Sequence, residues 1–583
     1  MLQSAMRWRL RPADPQVVRS LARRNALPEL VARLLACRGH VEPERAAEHL
    51  AASLNALHEP ALLPGMAEAT ARLARAIQGR ERILVHGDYD VDGVTGTVLL
   101  MRLFALLGAR ADWHIPSRLV DGYSFGRHSI ERARACEASV VVSVDNGTSA
   151  GETIAELAAM GVDTVVTDHH EPPDGPLPAA AAIVNPKLAG SSYPFRELCG
   201  SGVAFKLAWG LCQEVSGARR VREDLRLYLH DAMAYVALAT VCDVVPLIGE
   251  NRVLARRGLA ALETSSSAGL RALLEVAGLG AQPLCAEDVG FKLGPRLNAA
   301  GRLGSAALAV ELLLARDPAE ARRLALELDK LNVERRRIEA ELCEQVFLQA
   351  ERRAADPVLV LAGEGWHAGV VGIVAARVAQ RFRRPALVIG LDGATGRGSA
   401  RSIDGFDVLE AMRGGERHML RFGGHAQAAG CEVRADEVDR LREAICERAR
   451  ALAPAVDDGE RALWIDGELE LARMGEDLMR AIDRLEPFGA QNEKPVLVSS
   501  DLRLAEAARV IGQDGSHLAL VVRQGERALR GVAFGMGARA AELAMGAPLH
   551  VAYTPRWNHF RGERRLELLV HDFRVGERPA LAG

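Results

Sequence analysis

Residues 83–93 read ILVHGDYDVDG, an apolar run that stops at a histidine and a glycine and is followed by three alternating aspartates. Short apolar runs return at residues 140–142, 165–166 and 183–184, and helix-like stretches lie between them at 97–107 and 153–160. Short apolar strands that alternate with helices are typical of an open, doubly wound parallel sheet. Because ligands bind at the carboxyl ends of the strands in such sheets, the polar residues after each run are candidate functional residues.

Three carboxylates follow the first run. Asp88, Asp90 and Asp92 alternate along the chain, and alternate residues of an extended segment project to one side, so these side chains can converge on a cation. Aspartates at strand ends also cap turns and helices. That explanation suits one aspartate better than three beside a histidine, His86.

Acids and histidines follow the other runs as well. Asp145 lies in SVDNG at 143–147 and could on its own form an ordinary turn. Asp168, His169 and His170 follow the third run, where two adjacent imidazoles are unusual as a packing feature. Asp243 interrupts an apolar run at 239–247. A buried carboxylate there must be paired, protonated or bound to metal, because burying it unpaired costs several kcal/mol.

These side chains predict a metal centre. Mixed carboxylate and imidazole ligands suit Mn²⁺ or Mg²⁺; histidine favours Mn²⁺, and zinc is a less favoured alternative. Two such cations roughly 3.5 to 4 Å apart activate a water molecule and stabilise the leaving oxygen during in-line attack on phosphorus. The predicted reaction is therefore phosphoester hydrolysis that uses two divalent cations.

The rest of the sequence predicts further regions. A charged stretch at 317–353, with an Asp317-Pro318 start signal and leucines at helical spacing, predicts one long spacer helix. Strand-like runs resume at Val358, and the alternation after residue 464 suits a small β-barrel. We expect a multi-domain α/β protein with five regions: an N-terminal helical segment (1–60), a parallel-sheet catalytic domain (61–250), a helical linker with the long helix (251–355), a smaller α/β domain (356–455) and a barrel (460–577).

Composition limits the kind of protein. The 583 residues are 49% hydrophobic and 26% charged, which is enough for several buried cores. The net charge of -3 gives no overall basic field, so any contact with nucleic acid must come from local sites. The nine cysteines form no CxxC pair, and no apolar run approaches the roughly 18 residues of a membrane span. We expect a soluble cytoplasmic protein that has no membrane partner.

Further motifs lie downstream in a fixed order. They are GPRLNAAGRL at 294–303, GWHAGVVGI at 365–373, SARS at 399–402 and GGHAQAAG at 423–430. With the four motifs above, they resemble the DHH phosphoesterase superfamily, and within it the bacterial exonucleases specific for single strands. The resemblance covers nearly the whole chain. It implies a DHH catalytic domain, a DHH-associated substrate-binding domain at 356–455 and an oligonucleotide-binding fold at 460–577.

The resemblance implies two sets of metal ligands that share Asp145. One ion would be bound by His86, Asp90 and Asp145, and the other by Asp92, Asp145, His169 and Asp243. Asp88 is a further candidate ligand, and Asp168 would orient an imidazole. His170 would either contact the scissile phosphate or support His169. The implied catalytic residues are Asp90, Asp92, Asp145, His169, His170 and Asp243.

The resemblance also implies substrate contacts. Ser399, Arg401 and His425 would bind the terminal phosphate, and Arg296, Asn298 and Arg302 would grip the backbone near the cut. In the barrel the candidates for base stacking or for the barrel face are Trp464, Phe488, Phe534, Tyr553, Trp557 and Phe560, with Arg556, Arg561 and Arg564 nearby. Aromatic residues of a small barrel are more often core residues.

The implied function is exonuclease cleavage of single-stranded DNA from the 5′ end, with release of 5′-mononucleotides during recombination and repair. Two alternatives remain: a DHH-type phosphodiesterase that acts on short oligoribonucleotides or cyclic dinucleotides, and a catalytically silent protein that binds single strands. The implied partners are single-stranded DNA, single-stranded DNA-binding protein and a RecQ-type helicase. The expected oligomeric state is a monomer.

Overall fold

The computed structural model describes residues 6–118, 121, 125–280, 283–452, 462–560 and 563–581, without the side chains of 559, 560 and 563. The chain forms two compact units. One comprises residues 1–57, 246–256 and 458–583, and the other comprises residues 58–245 and 257–457. Among the described residues, no helix combines the length and the apolar character that crossing a membrane requires.

The chain begins with a short strand and three helices. They are β1 (Arg7–Leu10), α1 (Pro15–Arg24), α2 (Glu29–Cys37) and α3 (Pro43–Ala51). Buried side chains of α1 and α2, including Leu21, Leu34 and Leu35, pack into the same hydrophobic cluster as the barrel residues Val551 and Phe573. The first helices therefore share a core with the end of the chain.

A parallel sheet forms the first part of the second unit. Its elements are α4 (Met66–Gln78), β2 (Arg82–His86), α5 (Val91–Leu106), β3 (Arg110–His114), α6 (Arg127–Ala135), β4 (Val140–Val144), α7 (Gly151–Ala159), β5 (Asp163–Thr167), β6 (Ala182–Val184), α8 (Gly200–Ser216) and α9 (Glu223–Cys242). The strand order is β3-β2-β4-β5-β6, and every pair is parallel. The order reverses between β2 and β4, which is the switch point where open α/β sheets bind ligands.

The sheet agrees with the sequence-based prediction except at one edge. Every residue of β4 is buried, as expected for a central strand covered on both faces. Strand β3 was not predicted, because its sequence RADWH mixes polar and aromatic residues and lies half exposed at the edge of the sheet.

Helices connect this sheet to the next one. They are α10 (Gly249–Glu263), α11 (Ala268–Val276), α12 (Ala286–Asp288), α13 (Gly294–Leu303), α14 (Ala307–Leu314) and α15 (Pro318–Arg352). The predicted long helix is confirmed as the 35-residue α15, and the Asp317 carboxylate accepts hydrogen bonds from the backbone of its first turn. Leu324 and Leu328 pack among the neighbouring helices, whereas Leu342 and Val346 pack against the smaller α/β domain. The helix thus joins two cores.

The smaller α/β domain contains β7 (Leu359–Glu364), α16 (Val371–Phe382), β8 (Ala386–Asp392), β9 (Thr395–Arg401), α17 (Val408–Arg413), β10 (Met419–His425), β11 (Ala428–Arg434) and α18 (Val438–Leu452). Its strand order is β10-β11-β9-β8-β7. Only β7 and β8 are parallel; the other described pairs are antiparallel.

The barrel follows at the end of the chain. Its elements are β12 (Ala462–Ile465), β13 (Gly467–Glu468), α19 (Glu476–Asp483), β14 (Leu497–Leu504), β15 (Arg509–Ile511), β16 (His517–Gln524), β17 (Arg527–Ala533), β18 (Leu549–Phe560) and β19 (Glu563–Val575). The order is β13-β14-β18-β19-β17-β16-β15, and a further β14–β16 pairing closes the ring. Strand β1 pairs in parallel with β12, so the N-terminal segment belongs to the barrel unit. The predicted α/β architecture with a terminal barrel is confirmed.

The barrel aromatics divide into core and surface residues. Tyr553 is fully buried and its hydroxyl lies 2.8 Å from Ser499 Oγ, so its interpretation as a base-stacking residue was wrong. Phe488 packs against the core, whereas Trp464 and Phe534 are exposed.

The predicted basic residues beside the barrel aromatics are also partly engaged. The Arg564 guanidinium stacks on Trp557 at 3.8 Å from the ring centroid, and Arg556 pairs with Glu567. Arg561 and the side chain of Phe560 lie outside the described residues.

A buried arginine ties the barrel unit together. Arg252 of α10 is 1% exposed and donates hydrogen bonds to the carbonyls of His49, Arg484 and Leu485 at 2.9, 2.9 and 2.6 Å. Burial, followed by repulsion from Arg256, lowers the pKa of Arg252 to about 9. Three separate parts of the chain therefore depend on one guanidinium.

We expect Arg252→Met to destabilise the barrel unit by about 3 to 5 kcal/mol, because two buried carbonyls and one partly buried carbonyl lose their donor while the apolar stem is kept. Thermal unfolding followed by circular dichroism measures the change. Arg480→Met on α19, where the arginine is 64% exposed, is the control and should change stability by less than about 0.5 kcal/mol. Equal effects of the two substitutions would contradict the role of Arg252.

Candidate active site

The first carboxylates lie where β2 passes into α5. Asp90 caps α5: its Oδ1 accepts hydrogen bonds from the backbone N of Asp92 at 3.0 Å and of Gly93 at 3.2 Å. The Val91 backbone N donates to Asn298 Oδ1 at 3.2 Å. Asn298 of α13 therefore fixes the loop that carries the aspartates, which is a positioning contact and differs from the substrate contact expected from the sequence.

Asp92 is held by the N-terminus of α8. Its two carboxylate oxygens accept hydrogen bonds from the backbone N of Gly200 at 2.7 Å and of Ser201 at 2.6 Å. These free backbone donors at a helix start favour a negative charge. A Cβ at Gly200 would lie 2.6 Å from Asp145 Oδ1, so glycine is required for the helix to approach the site this closely.

Asp145 and His169 lie at the centre of the site. Asp145 follows β4 with a left-handed backbone, φ 64°, and its backbone N donates to the Thr167 carbonyl at 2.9 Å. His169 Nε2 lies 3.2 Å from Asp145 Oδ1 and 3.6 Å from Asp243 Oδ2. It is also 3.9 Å from Asp92 Oδ2. Residues far apart in sequence thus converge at the switch point of the sheet.

The acids and histidines form overlapping sets whose candidate ligand atoms lie within 4.8 Å of one another. The sets are Asp88 with Asp90 and Asp145, Asp92 with His169 and Asp243, and Asp145 with His169 and His170. Two sets share Asp145, and two share His169. The candidate ligand atoms therefore overlap around Asp145 and His169.

Burial and mutual repulsion hold these carboxyl groups away from their usual titration range. Burial, followed by the charges of neighbouring aspartates, raises the pKa of Asp88 and of Asp243 to about 8 and that of Asp92 to about 6. The pKa of Asp145 is raised well above its usual value for the same reasons. Asp88 Oδ1 and Asp145 Oδ1 are buried and accept no hydrogen bond. Such a donor set fits divalent cations, which compensate the charge and coordinate the unpaired oxygens.

Asp168 and His170 form a pair beside these ligands. Asp168 accepts hydrogen bonds from the backbone N of Thr148 at 2.9 Å and of His169 at 2.8 Å, and its Oδ1 lies 2.8 Å from His170 Nδ1. Although burial opposes it, this bonding lowers the pKa of Asp168, while the carboxylate raises that of His170 to about 9. Asp168 therefore orients an imidazolium that is 45% exposed beside the site.

His86 is placed differently from the expectation. Its ring is fully buried, packs edge-on against Phe125, and has Nε2 2.9 Å from Ser129 Oγ. Its candidate ligand atom groups with those of His114 and His128, and no described three-residue set joins it to the carboxylates. Asp88 occupies the position beside Asp90 and Asp145 that the sequence-based interpretation gave to His86.

Arginines surround the other side of the centre. Arg302 of α13 donates to the Gly369 carbonyl at 3.1 Å, and Arg401 of β9 donates to Ser399 Oγ at 2.9 Å. Arg118, in the turn after β3, stacks on Tyr89 at 4.0 Å from the ring centroid.

These cations repel one another. Burial and then Arg118 and neighbouring arginines lower the pKa of Arg302 to about 10. Burial followed by Arg118 lowers the pKa of Arg401, and burial followed by Arg401 and then His170 lowers that of His425. A bound anion would relieve this repulsion. Sequence reasoning missed Arg118 because it follows the edge strand that the apolar pattern did not reveal.

Arg296 makes its contacts inside the protein. Its side chain is 12% exposed and donates to Asp329 at 2.9 Å and to the Lys292 carbonyl at 2.7 Å. These bonds attach α13 to α15. The expected contact between Arg296 and the substrate backbone therefore disagrees with the geometry. For Arg302 that contact stays a prediction.

Three family profiles match separate parts of the chain. The DHH family N-terminal domain matches residues 82–239, the DHHA1 domain matches residues 355–451, and the RecJ OB domain matches residues 465–572. Their order follows the parallel sheet, the smaller α/β domain and the barrel.

Relatives match over nearly the full length. The single-stranded-DNA-specific exonuclease RecJ of Escherichia coli is 36% identical over 93% of this chain and 95% of its own. The protein of that name from Bacillus subtilis is 35% identical over 99% of this chain and 72% of its own. The crystal structure of Thermus thermophilus RecJ with Mn²⁺ has a TM-score of 0.83 and 31% identity, covering 99% of this chain and 80% of that one. This chain belongs to the RecJ family of the DHH superfamily.

Proposed function

We propose that this chain is a metal-dependent exonuclease that cleaves single-stranded DNA from the 5′ end and releases 5′-mononucleotides in recombination and repair. The observation that carries the proposal is the convergence of buried carboxylates and His169, with a group of arginines beside them. The relatives named above are single-stranded-DNA-specific exonucleases. The direction of cleavage rests on the motif resemblance.

We propose two divalent cations, Mn²⁺ or Mg²⁺, in the centre; related structures contain Mn²⁺ or Mg²⁺. One would be bound by Asp88, Asp90 and Asp145, and the other by Asp92, Asp145, His169 and Asp243. This assignment replaces His86 with Asp88. When bound, such a pair of cations supplies a nucleophile derived from water and stabilises the leaving oxygen.

The protein's own side chains divide the remaining work. Asp92, fixed by the start of α8, and Asp145, fixed by its backbone bond to Thr167, present carboxylates in set directions. His170 keeps a proton at neutral pH because Asp168 faces it. Of the two roles considered for His170, we propose that its imidazolium contacts the scissile phosphate and does not only support the His169 ring.

The cations of the cleft would bind the phosphates. The Arg401 guanidinium donates a hydrogen bond to Ser399. Burial and then the positive charge of Arg401 lower the pKa of His425. Ser399, Arg401 and His425 would together bind the terminal phosphate. Arg302 and Arg118 would contact the backbone phosphate near the cut. Guanidinium groups suit this task because their planar donors match phosphate oxygens in pairs.

Two alternatives are weaker. A phosphodiesterase for short oligoribonucleotides or cyclic dinucleotides would use the same centre, but the additional barrel suits a polymer. A silent single-strand-binding protein would be expected to lack ligands, yet every proposed ligand position holds a carboxylate or an imidazole. We also propose that the protein acts in the cytoplasm as a monomer. Its proposed partners are single-stranded DNA-binding protein and a RecQ-type helicase.

The central test uses single strands labelled at the 5′ or the 3′ end, with Mn²⁺ and with EDTA. We expect mononucleotides first from the 5′ label and none with EDTA. Asp145→Asn should reduce cleavage more than about 10³-fold, a loss of roughly 4 kcal/mol of barrier stabilisation, while strand binding persists. Asp163→Asn, at the opposite end of the sheet, is the control. Cleavage that survives EDTA, or early release from the 3′ label, would contradict the proposal.

Terminal-phosphate recognition is tested with strands that end in 5′-phosphate or 5′-hydroxyl. We expect Arg401→Ala to raise KM for the phosphorylated strand about 10- to 100-fold, the value of one charge-assisted hydrogen bond of about 1.5 to 3 kcal/mol. The hydroxyl strand should be affected much less. Arg440→Ala on α18, where the arginine is 68% exposed, is the matched control. An equal loss on both strands would refute a terminal-phosphate contact.

Metal binding should depend on pH. The raised pKa values of Asp88, Asp92 and Asp243 mean that the metal-free centre holds protons at pH 6 and loses them towards pH 8. Protonation of these carboxyl groups stabilises the metal-free fold, and this stabilisation is lost as pH rises. Bound Mn²⁺ compensates the carboxylate charges in place of the protons. We expect Mn²⁺ to raise Tm more at pH 8 than at pH 6, and calorimetry in two buffers to detect proton release. A Tm increase independent of pH would contradict this charge balance.

A further inference from the structure

Three histidines gather outside the carboxylate centre. His86 ends β2, His114 ends the neighbouring strand β3, and His128 lies in the first turn of α6. Each offers a nitrogen, and the three nitrogens lie within 4.8 Å of one another. The ring centroids are 5.1 to 5.4 Å apart. The proposed hydrolysis uses none of these imidazoles.

The spacing fits a small metal ion. His114 Nε2 lies 3.2 Å from His128 Nδ1. Two imidazole nitrogens bound to one tetrahedral Zn²⁺ at about 2.0 to 2.1 Å stand roughly 3.3 to 3.4 Å apart. The observed pair is therefore already close to the separation that coordination requires. Burial and the neighbouring His128 lower the pKa of His114 to about 4, so this ring is neutral at pH 7, the form that binds metal.

His86 supplies an independent observation. Its side chain is fully buried, and its Nδ1 has no hydrogen-bond partner. Its Nε2 lies 2.9 Å from Ser129 Oγ, which also accepts a bond from the Gly126 backbone N at 3.1 Å. When Nε2–H donates to Ser129, Nδ1 carries a lone pair. A buried lone pair without a donor is unfavourable, and a hydroxyl that orients the other nitrogen is typical of metal-binding histidines.

We propose that His86, His114 and His128 form a third, mononuclear site for a transition-metal ion of the zinc type. The set contains imidazoles and no carboxylate, so it favours Zn²⁺, Co²⁺ or Ni²⁺ over the Mn²⁺ or Mg²⁺ of the dinuclear centre. His114 and His128 are only partly buried, which leaves a fourth position for water. A bound ion would tie the ends of β2 and β3 to α6.

The test separates this site from the carboxylate centre. In the full chain, Asp92→Asn with Asp145→Asn weakens the dinuclear centre, and Co²⁺ is then added to the metal-stripped protein. We expect one tightly bound equivalent with the intense visible spectrum of a four-coordinate ion, and a higher Tm when it is bound. Further substitution by His114→Gln and His128→Gln should abolish both. His230→Gln, at an exposed position on α9, is the matched control and should abolish neither.

Two results would overturn the proposal: no tight equivalent in the aspartate variant, or an equivalent that persists without His114 and His128. Should the histidine variant fail to fold by circular dichroism, X-ray absorption of the cobalt-loaded aspartate variant decides. Three imidazole ligands support the site, and a carboxylate-dominated shell refutes it. If the three histidines form only a hydrogen-bonded cluster, the aspartate variant will bind no tight equivalent of Co²⁺.

Discussion

The repulsion among buried carboxylates at the switch point is the constraint on which the rest of the site depends. The free energy needed to hold Asp88 charged, with its pKa near 8, corresponds to several kcal/mol in the absence of a cation. The fold offsets only part of the cost of burying these charges, through the Tyr89 backbone and Arg118 at Asp88 and through the two backbone donors that bind Asp92 at the start of α8. A divalent cation bound there would compensate the remaining cost.

The arginines near the centre lie on different helices and strands from the clustered aspartates. Arg302 lies on α13 and Arg401 on β9, and no described ion pair joins either guanidinium to the clustered aspartates. Helix α13 packs closely against the smaller α/β domain: a Cβ at Gly369 would lie 2.1 Å from the Arg302 carbonyl oxygen. Helix α15 holds the two parts together because one half packs in each core. Gly369, in the glycine-rich motif at 365–373, is thus required for packing.

Sequence alone predicted the elements with strong patterns. Central strands are continuous apolar runs and α15 has a proline start signal and a long stripe of leucines, so both could be read directly. Strand β3 could not, since an edge strand half exposed to solvent needs no apolar run. The pairing of β1 with β12 joins residues more than 450 apart, and no local pattern encodes such a contact. The motif resemblance implied a substrate contact for Arg296, and no local pattern shows that its carboxylate partner is Asp329 on a different helix.

The proposed exchange of His86 for Asp88 as a metal ligand follows from where β2 ends. Residues 86, 88, 90 and 92 are alternate positions in the sequence. In an extended chain all four side chains would therefore point to the same side. The strand stops at His86, however, and Asp90 already caps α5, so the chain turns between them. Gly87 is needed in that turn because a Cβ there would lie 2.1 Å from Thr97 Oγ1. The turn carries Asp88 to Asp90 and Asp145 and leaves His86 beside β3 and α6, where the other two histidines lie.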